Sequence, residues 1–148
     1  MAIIGIIAEY NPFHTGHEYH IARSRELLGA DSTVICVMSG DFVQRGEAAL
    51  YSKFARAEAA CRCGADLVIE LPLPWALSSA EGFARGAVGL LGALGATHLS
   101  FGSECGDVQR LERIAENLID PAVNAEISRE LNENANNSYA SARQTVLA

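Results

Sequence analysis

Three of the four histidines in this chain fall within Glu9–His20, EYNPFHTGHEYH, directly after the apolar run AIIGIIA. Imidazoles at this density suit a metal site, a phosphate site or a packed turn. His14, His17 and His20 are spaced by three, so a continuous helix would fan them across neighbouring positions and offer zinc two ligands at most. Pro12 and Gly16 put the helix start near Thr15 or Gly16 and leave His14 outside it. No Cys or carboxylate completes a standard ligand spacing. The phosphate reading fits better. A strand, a tight turn and a helix start bring free backbone N–H groups and the positive helix end to one point. Gly16 lets a phosphate approach the backbone closely. His14 and His17 can donate to phosphoryl oxygens as charge builds in a transition state, with His20 one turn further on as a supporting group.

The elements that would position this turn are legible in the hydrophobic pattern. AIIGIIA, STVICVMSG, ADLVIELP and ATHLSFGSE read as buried strands. They alternate with helical stretches: TGHEYHIARSRELLGA ended by Gly29, SKFARAEAACRCG between a Ser52 cap and a Gly64 stop, and the small-residue run SSAEGFARGAVGLLGALG. DVQRLERIAENLI, DPAVNAEISRELNEN with its Asp120–Pro121 start, and SYASARQTVLA predict three further helices. The pattern predicts an α/β fold, a Rossmann-like parallel sheet with helices on both faces, in one domain over 1–148. Ligands of such sheets bind beyond the carboxyl ends of the strands. Four polar segments fall there: Glu9–His17, Ser39–Glu47, Glu70–Trp75 and Gly102–Glu104.

Bulk properties narrow the function classes. The chain has 148 residues and a net charge of −7, which argues against broad, non-specific nucleic-acid binding. No apolar stretch is long enough to span a membrane, and the first apolar run lacks a basic leader, so a cytoplasmic protein is expected. Cys36, Cys61, Cys63 and Cys105 form no CxxC pair or disulfide framework and read as reduced, mostly buried thiols. Lys53, Arg56 and Arg62 read as the solvated face of a helix. Trp75, between Pro74 and Ala76, reads as a packing anchor.

NPFHTGH, behind a buried strand, resembles the HxGH signature of the nucleotidylyltransferase superfamily. GIIAEYNPFHTGHEYHI, VMSGDFVQRGEAA, ADLVIELP, LSFGSE and SYASARQ stand in the order found in the bacterial tRNA(Met) cytidine acetate ligases. This resemblance implies an HxGH-type catalytic domain that is shorter than family members and lacks the C-terminal tRNA-binding part. It implies ATP, with Mg²⁺, acetate and elongator tRNA(Met) as reaction partners. It implies nucleotide contacts from Ile7, Ala8, Glu9, Tyr10, Asn11, Pro12, Phe13, His14, Thr15, Gly16, His17, Glu18, Tyr19 and His20, together with Gly102. His14 and His17 carry the catalytic expectation. Arg45, in the polar SGDFVQRGE, is the expected anion partner, with Asp41 and Gln44 beside it.

The implied chemistry is adenylation. Acetate is already ionised and needs no base to attack the α-phosphorus, so the site has to align the reactants and neutralise growing charge. The acetyl group would then pass to N4 of the wobble cytidine, giving N4-acetylcytidine. Two alternatives share the motif: a small-molecule adenylyltransferase of the pantetheine-phosphate or nicotinamide-nucleotide type, and a non-catalytic ATP-binding fragment.

Overall fold

In the computed structural model, which describes residues 1–134 and 138–147, the first apolar run is strand β1 (Ile3–Ala8). Its alternation decides both faces of the sheet. Ile4 and Ile6 join one core cluster, while Ile3 and Ile7 pack against the other. Strand β2 (Thr33–Ser39) repeats the pattern, with Val34, Cys36 and Met38 on the first face and Ile35 and Val37 on the second. A strand apolar on both sides has to be covered on both sides.

Strands β3 (Leu67–Leu71) and β4 (His98–Ser100) complete a four-stranded sheet in the order β3-β2-β1-β4. Every pairing is parallel, with Ile3 opposite Thr33, Ile35 opposite Leu67 and Ile4 opposite His98. Helices α1 (Thr15–Leu28) and α2 (Lys53–Arg62) contribute Ile21 and Ala60 to the first face. The short α3 (Leu73–Ala76) and the long α4 (Ala80–Ala93) contribute Ala76, Phe83, Ala87 and Leu91 to the second. The chain runs outward from β1 to β3, then returns to β4 on the other side of β1. The order therefore reverses at β1, and α1 starts from the carboxyl end of that strand.

Local chemistry explains the boundaries. Ser52 Oγ accepts from Ala55 N–H to start α2, and Ser79 Oγ accepts from Gly82 N–H to start α4. Gly29 closes α1 at φ 109°, a conformation side chains rarely adopt. At the edge remote from the histidine turn, Asp66 Oδ2 accepts from Val34 N–H at 2.7 Å and from Arg25 at 2.5 Å. Two expectations change here. Strand β4 is three residues long and ends at Ser100, so Phe101 and Gly102 follow the strand instead of lying in it. All three of its residues find partners on β1. Trp75 packs its ring over Gly86, as an anchor should, yet stays 42% exposed.

This sheet and its helices form one compact unit, Met1–Gly102, and Ser103–Ala148 forms a second. The sequence predicts a single domain because no Pro/Gly-rich linker marks the division. The second unit holds α5 (Val108–Ile119), α6 (Pro121–Glu133) and α7 (Tyr139–Leu147), the first two capped by Asp107 and Asp120. Ala148, the last residue of the expected final helix, lies outside the described residues. Among the described residues no helix is long and apolar enough to cross a membrane.

Gly5 lies where α4 meets the sheet. A Cβ there would come 2.7 Å from Leu91 Cδ1, and Leu91 is buried. Gly5→Val is expected to lose about 1–3 kcal/mol by overpacking, measured by urea unfolding; an unchanged midpoint would contradict this packing.

Candidate functional site

The first turn of α1 is capped by two imidazoles. His14 is the N-cap, in extended conformation, and its Nδ1 accepts from Gly16 N–H at 3.1 Å. His17, three residues on, returns the contact: its Nδ1 accepts from His14 N–H at 3.2 Å. This is a capping box with histidine in both roles. Each Nδ1 lone pair is occupied by a backbone donor, so each neutral ring carries its proton on Nε2. The rings stack, with centroids 3.7 Å apart and planes at 28°. The Thr15 N–H has no partner among the described residues and adds a donor at the positive helix end. Gly16 has to be small: a Cβ there would lie 2.9 Å from His14 Cε1.

An aromatic bed holds the pair. Tyr10 and Phe13 pack on His17 with centroids at 4.8 and 5.4 Å. Tyr10 adopts a left-handed conformation, φ 49°, which costs a non-glycine residue about 1–2 kcal/mol. Its buried ring and the hydrogen bond from its hydroxyl to Cys36 Sγ at 3.2 Å hold it there. Burial first, and Cys36 second, raise the Tyr10 hydroxyl far above its usual range, while burial pushes the Cys36 thiol up to about 11. Tyr10 therefore stays a neutral phenol. Asn11–Pro12 is a cis peptide.

Three rim segments close around this turn. Glu9 Oε1 accepts from Gln44 N–H at 2.6 Å, and Asn11 Oδ1 accepts from Leu50 N–H at 2.7 Å. Arg56 donates to the carbonyls of Glu9 at 2.5 Å, of Tyr51 at 3.1 Å, and of Gly40. Lys53 Nζ sits on both oxygens of Glu70, at 2.9 and 2.7 Å. The expected solvated basic face is thus corrected. Arg56 is 2% exposed, Lys53 is paired, and Arg62 alone, in an exposed pair with Glu58, behaves as a surface charge. The sequence carried no signal for Arg56, because one arginine in a first helical turn looks the same buried or solvated.

On the other side of α1, a groove of ≈ 440 Å³ lies between that helix and the end of β4. Gly16, His17, His20, Ser100, Phe101 and Gly102 are among its lining residues. Its size is that of a small-molecule site. Serines order its protons. Ser24 donates to His20 C=O at 2.8 Å, so it can only accept from Ser100, 2.7 Å away. Ser100 can then only accept, and His20 Nε2–H donates to it at 2.8 Å. Ser24 and Ser100 escaped the sequence reading.

The structure brings His14, Gly16 and His17 to one point and places His17, His20 and Gly102 on one groove. Ile7, Ala8 and Tyr10 turn their side chains into the core clusters, leaving only their backbone for a ligand. Pro12, Thr15, Glu18 and Tyr19 are exposed, and Phe13 is half-buried. Arg45 is exposed in the hairpin loop bridged by Phe42 and Ala48, beside Gln44, and has no ion pair among the described residues. The cysteines depart from expectation: Cys36 is buried, Cys63 partly so, and Cys61 and Cys105 are exposed. No set of three His, Cys, Asp or Glu side chains among the described residues is arranged to hold a metal ion.

Residues 1–148 match the family described as HIGH nucleotidyl transferase. The chain is 48% identical over 150 residues to the tRNA(Met) cytidine acetate ligase of Acetivibrio thermocellus, covering 99% of this chain and 35% of that protein. It is 56% identical over 118 residues to the tRNA(Met) cytidine acetate ligase of Syntrophotalea carbinolica, covering 80% and 28%. The solved structure of Thermotoga maritima TmcAL bound with alpha-thio ATP matches with a TM-score of 0.87 and 44% identity, over 99% of this chain and 36% of that one. The chain spans about a third of the length of these relatives.

Burial of His17 and His20 makes stability depend on pH. His17 is held below the ordinary imidazole range by burial, then by His14 and His20; burial does the same to His20. A lowered folded-state pKa gives stability that is fully present above about pH 6.5 and lost as pH falls through the folded value. The melting temperature is expected to drop from pH 7.5 to 5. His17→Asn, whose amide oxygen can still accept from His14 N–H, should flatten part of that drop. An equal drop in both proteins would contradict the assignment.

Proposed function

This chain belongs to the HIGH nucleotidyl transferase family, and we propose that it is the adenylating catalytic domain of a tRNA(Met) cytidine acetate ligase. ATP binds with its nucleoside in the groove between α1 and β4 and its α-phosphate over the stacked His14–His17 pair. The pair carries the reading: two imidazoles locked as Nε2–H donors, at a helix start with an open Thr15 N–H. The names of the relatives and the ATP analogue bound to the Thermotoga protein support it.

The reaction proceeds in two steps. An acetate oxygen attacks the α-phosphorus, the bond from that phosphorus to the bridging oxygen breaks, and pyrophosphate leaves. Acetyl-adenylate is the product. The imidazole Nε2–H groups and the Thr15 N–H face oxygens whose charge grows in the transition state. They are already oriented, so no reorganisation is needed at that moment. Neutral rings suit this role, since a protonated His17 would lose its cap. Cytidine N4 then attacks the acetyl carbonyl carbon, the bond from that carbon to the phosphate oxygen breaks, AMP leaves, and N4 gives up one proton to solvent. Mg²⁺ would be held chiefly by the triphosphate itself. Arg45, exposed on a loop that Glu9 ties to the end of β1, is the proposed partner of the acetate carboxylate. Elongator tRNA(Met) is the proposed acceptor, in the cytoplasm.

The test is incubation of the chain with ATP, labelled acetate and elongator tRNA(Met). Acetate-dependent exchange of pyrophosphate into ATP, or labelled cytidine, is the expected result. Turnover with phosphopantetheine or nicotinamide mononucleotide instead, or ATP binding with no reaction, would overturn it. His17→Ala is expected to keep its circular dichroism and slow exchange by about 10²–10³-fold, the cost of one lost oxyanion donor. Unchanged exchange would remove His17 from the reaction.

A further inference from the structure

Arg56 raises a question that adenylation chemistry does not answer. It is among the largest fully buried side chains, and burying a cation without a carboxylate on its nitrogens costs several kcal/mol unless hydrogen bonds compensate. Its partners are three backbone carbonyls from three segments. Glu9 follows β1, Gly40 follows β2, and Tyr51 precedes α2. Glu9, Asp41 and Glu70 lend it electrostatic support. A planar fork can hold carbonyls in several directions at once, whereas an ammonium offers a single compact charge.

The consequence lies in the peptide planes. In a trans peptide the N–H points opposite to the C=O. When Arg56 takes the Glu9 carbonyl, it turns the Tyr10 N–H the other way; when it takes the Gly40 carbonyl, it turns the Asp41 N–H likewise. Neither N–H has a backbone partner outside the strand ladder. The Glu9–Tyr10 plane starts the segment that ends in His14 and His17. The Gly40–Asp41 plane starts the loop that carries Gln44 and Arg45. One guanidinium therefore sets both.

We propose that Arg56 is a positioning residue for adenylation, fixing the loop after β1 against the loop after β2 so that the histidine pair and Arg45 address the same reacting atoms. The proposal rests on the adenylation reading above. Arg56 touches no substrate in it. The groove of ≈ 360 Å³ that Arg56 lines with Pro12, Phe13, Tyr51, Ala55 and Ala59 gives a small cation a route to its position.

The experiment compares the chain with Arg56→Lys and Arg56→Ala, with thermal unfolding recorded so that rates refer to folded protein. In Arg56→Lys the amide resonances of Tyr10 and Asp41 are expected to move. Acetate-dependent exchange should fall about 10²-fold in kcat, the effect of an ångström-scale misplacement, with the ATP KM changed by less than about threefold. Ethylguanidinium, but not ethylammonium, should restore part of the rate in Arg56→Ala. Unmoved Tyr10 and Asp41 amides, a rate loss no larger than the loss of folded protein, or equal rescue by ethylammonium would each overturn the proposal. Absence of exchange in the unsubstituted chain would instead refute the adenylation reading, and the amide resonances would still decide the role of Arg56.

Discussion

The site depends on a shortage of acceptors at the start of α1. A helix begins with N–H groups that its own turns cannot satisfy. Here two of the nearby donors, those of His14 and Gly16, are met by imidazole nitrogens. Aspartate would cap as well, and would leave nothing further to donate. Histidine caps with one nitrogen and keeps a second able to donate. The cap thus performs two tasks at once: it starts the helix, and it fixes which ring nitrogen bears the proton. The stacked rings, the T-shaped Tyr10 contact and the small Gly16 all serve that arrangement.

The sheet puts the cap where a ligand can reach it. Strand order reverses at β1, and ligands of open parallel sheets bind at the carboxyl ends of the strands beside such a reversal. Helix α1 starts there, and the groove lies between α1 and the end of β4. The β2 side is closed by short-range chemistry: Glu9 to Gln44, Asn11 to Leu50, and Arg56 to three carbonyls. The site is therefore open on one flank and braced on the other.

Most of the fold was legible because it rests on local rules. Strands apolar on both faces, a Ser52 cap, a Gly29 stop and the Asp120–Pro121 start all state their conformation in a few residues. His14 outside the helix followed from Pro12 and Gly16. What escaped depends on distant partners. Arg56 reads as a surface cation until the carbonyls of Glu9 and Gly40 are placed beside it. Tyr10 gives no hint of its positive φ, since burial against Cys36 overrides its local preference. Strand β4 is shorter than its apolar pattern because it pairs over three residues only. Cys61 and Cys105 are exposed, although cysteine composition favours burial. The division at Gly102 left no compositional mark.

The relatives give the scale of what this chain carries. It aligns with about a third of their length, and this chain carries a four-stranded parallel sheet and the capped helix start. Histidine side-chain ¹⁵N NMR, with and without α,β-methylene ATP, tests the central claim most directly. Near neutral pH, His14 and His17 should each show an unprotonated Nδ1 and a protonated Nε2, and the Nε2 resonances of both should move on saturation with the nucleotide. A proton on Nδ1 of either ring, or Nε2 signals indifferent to bound nucleotide, would contradict the account.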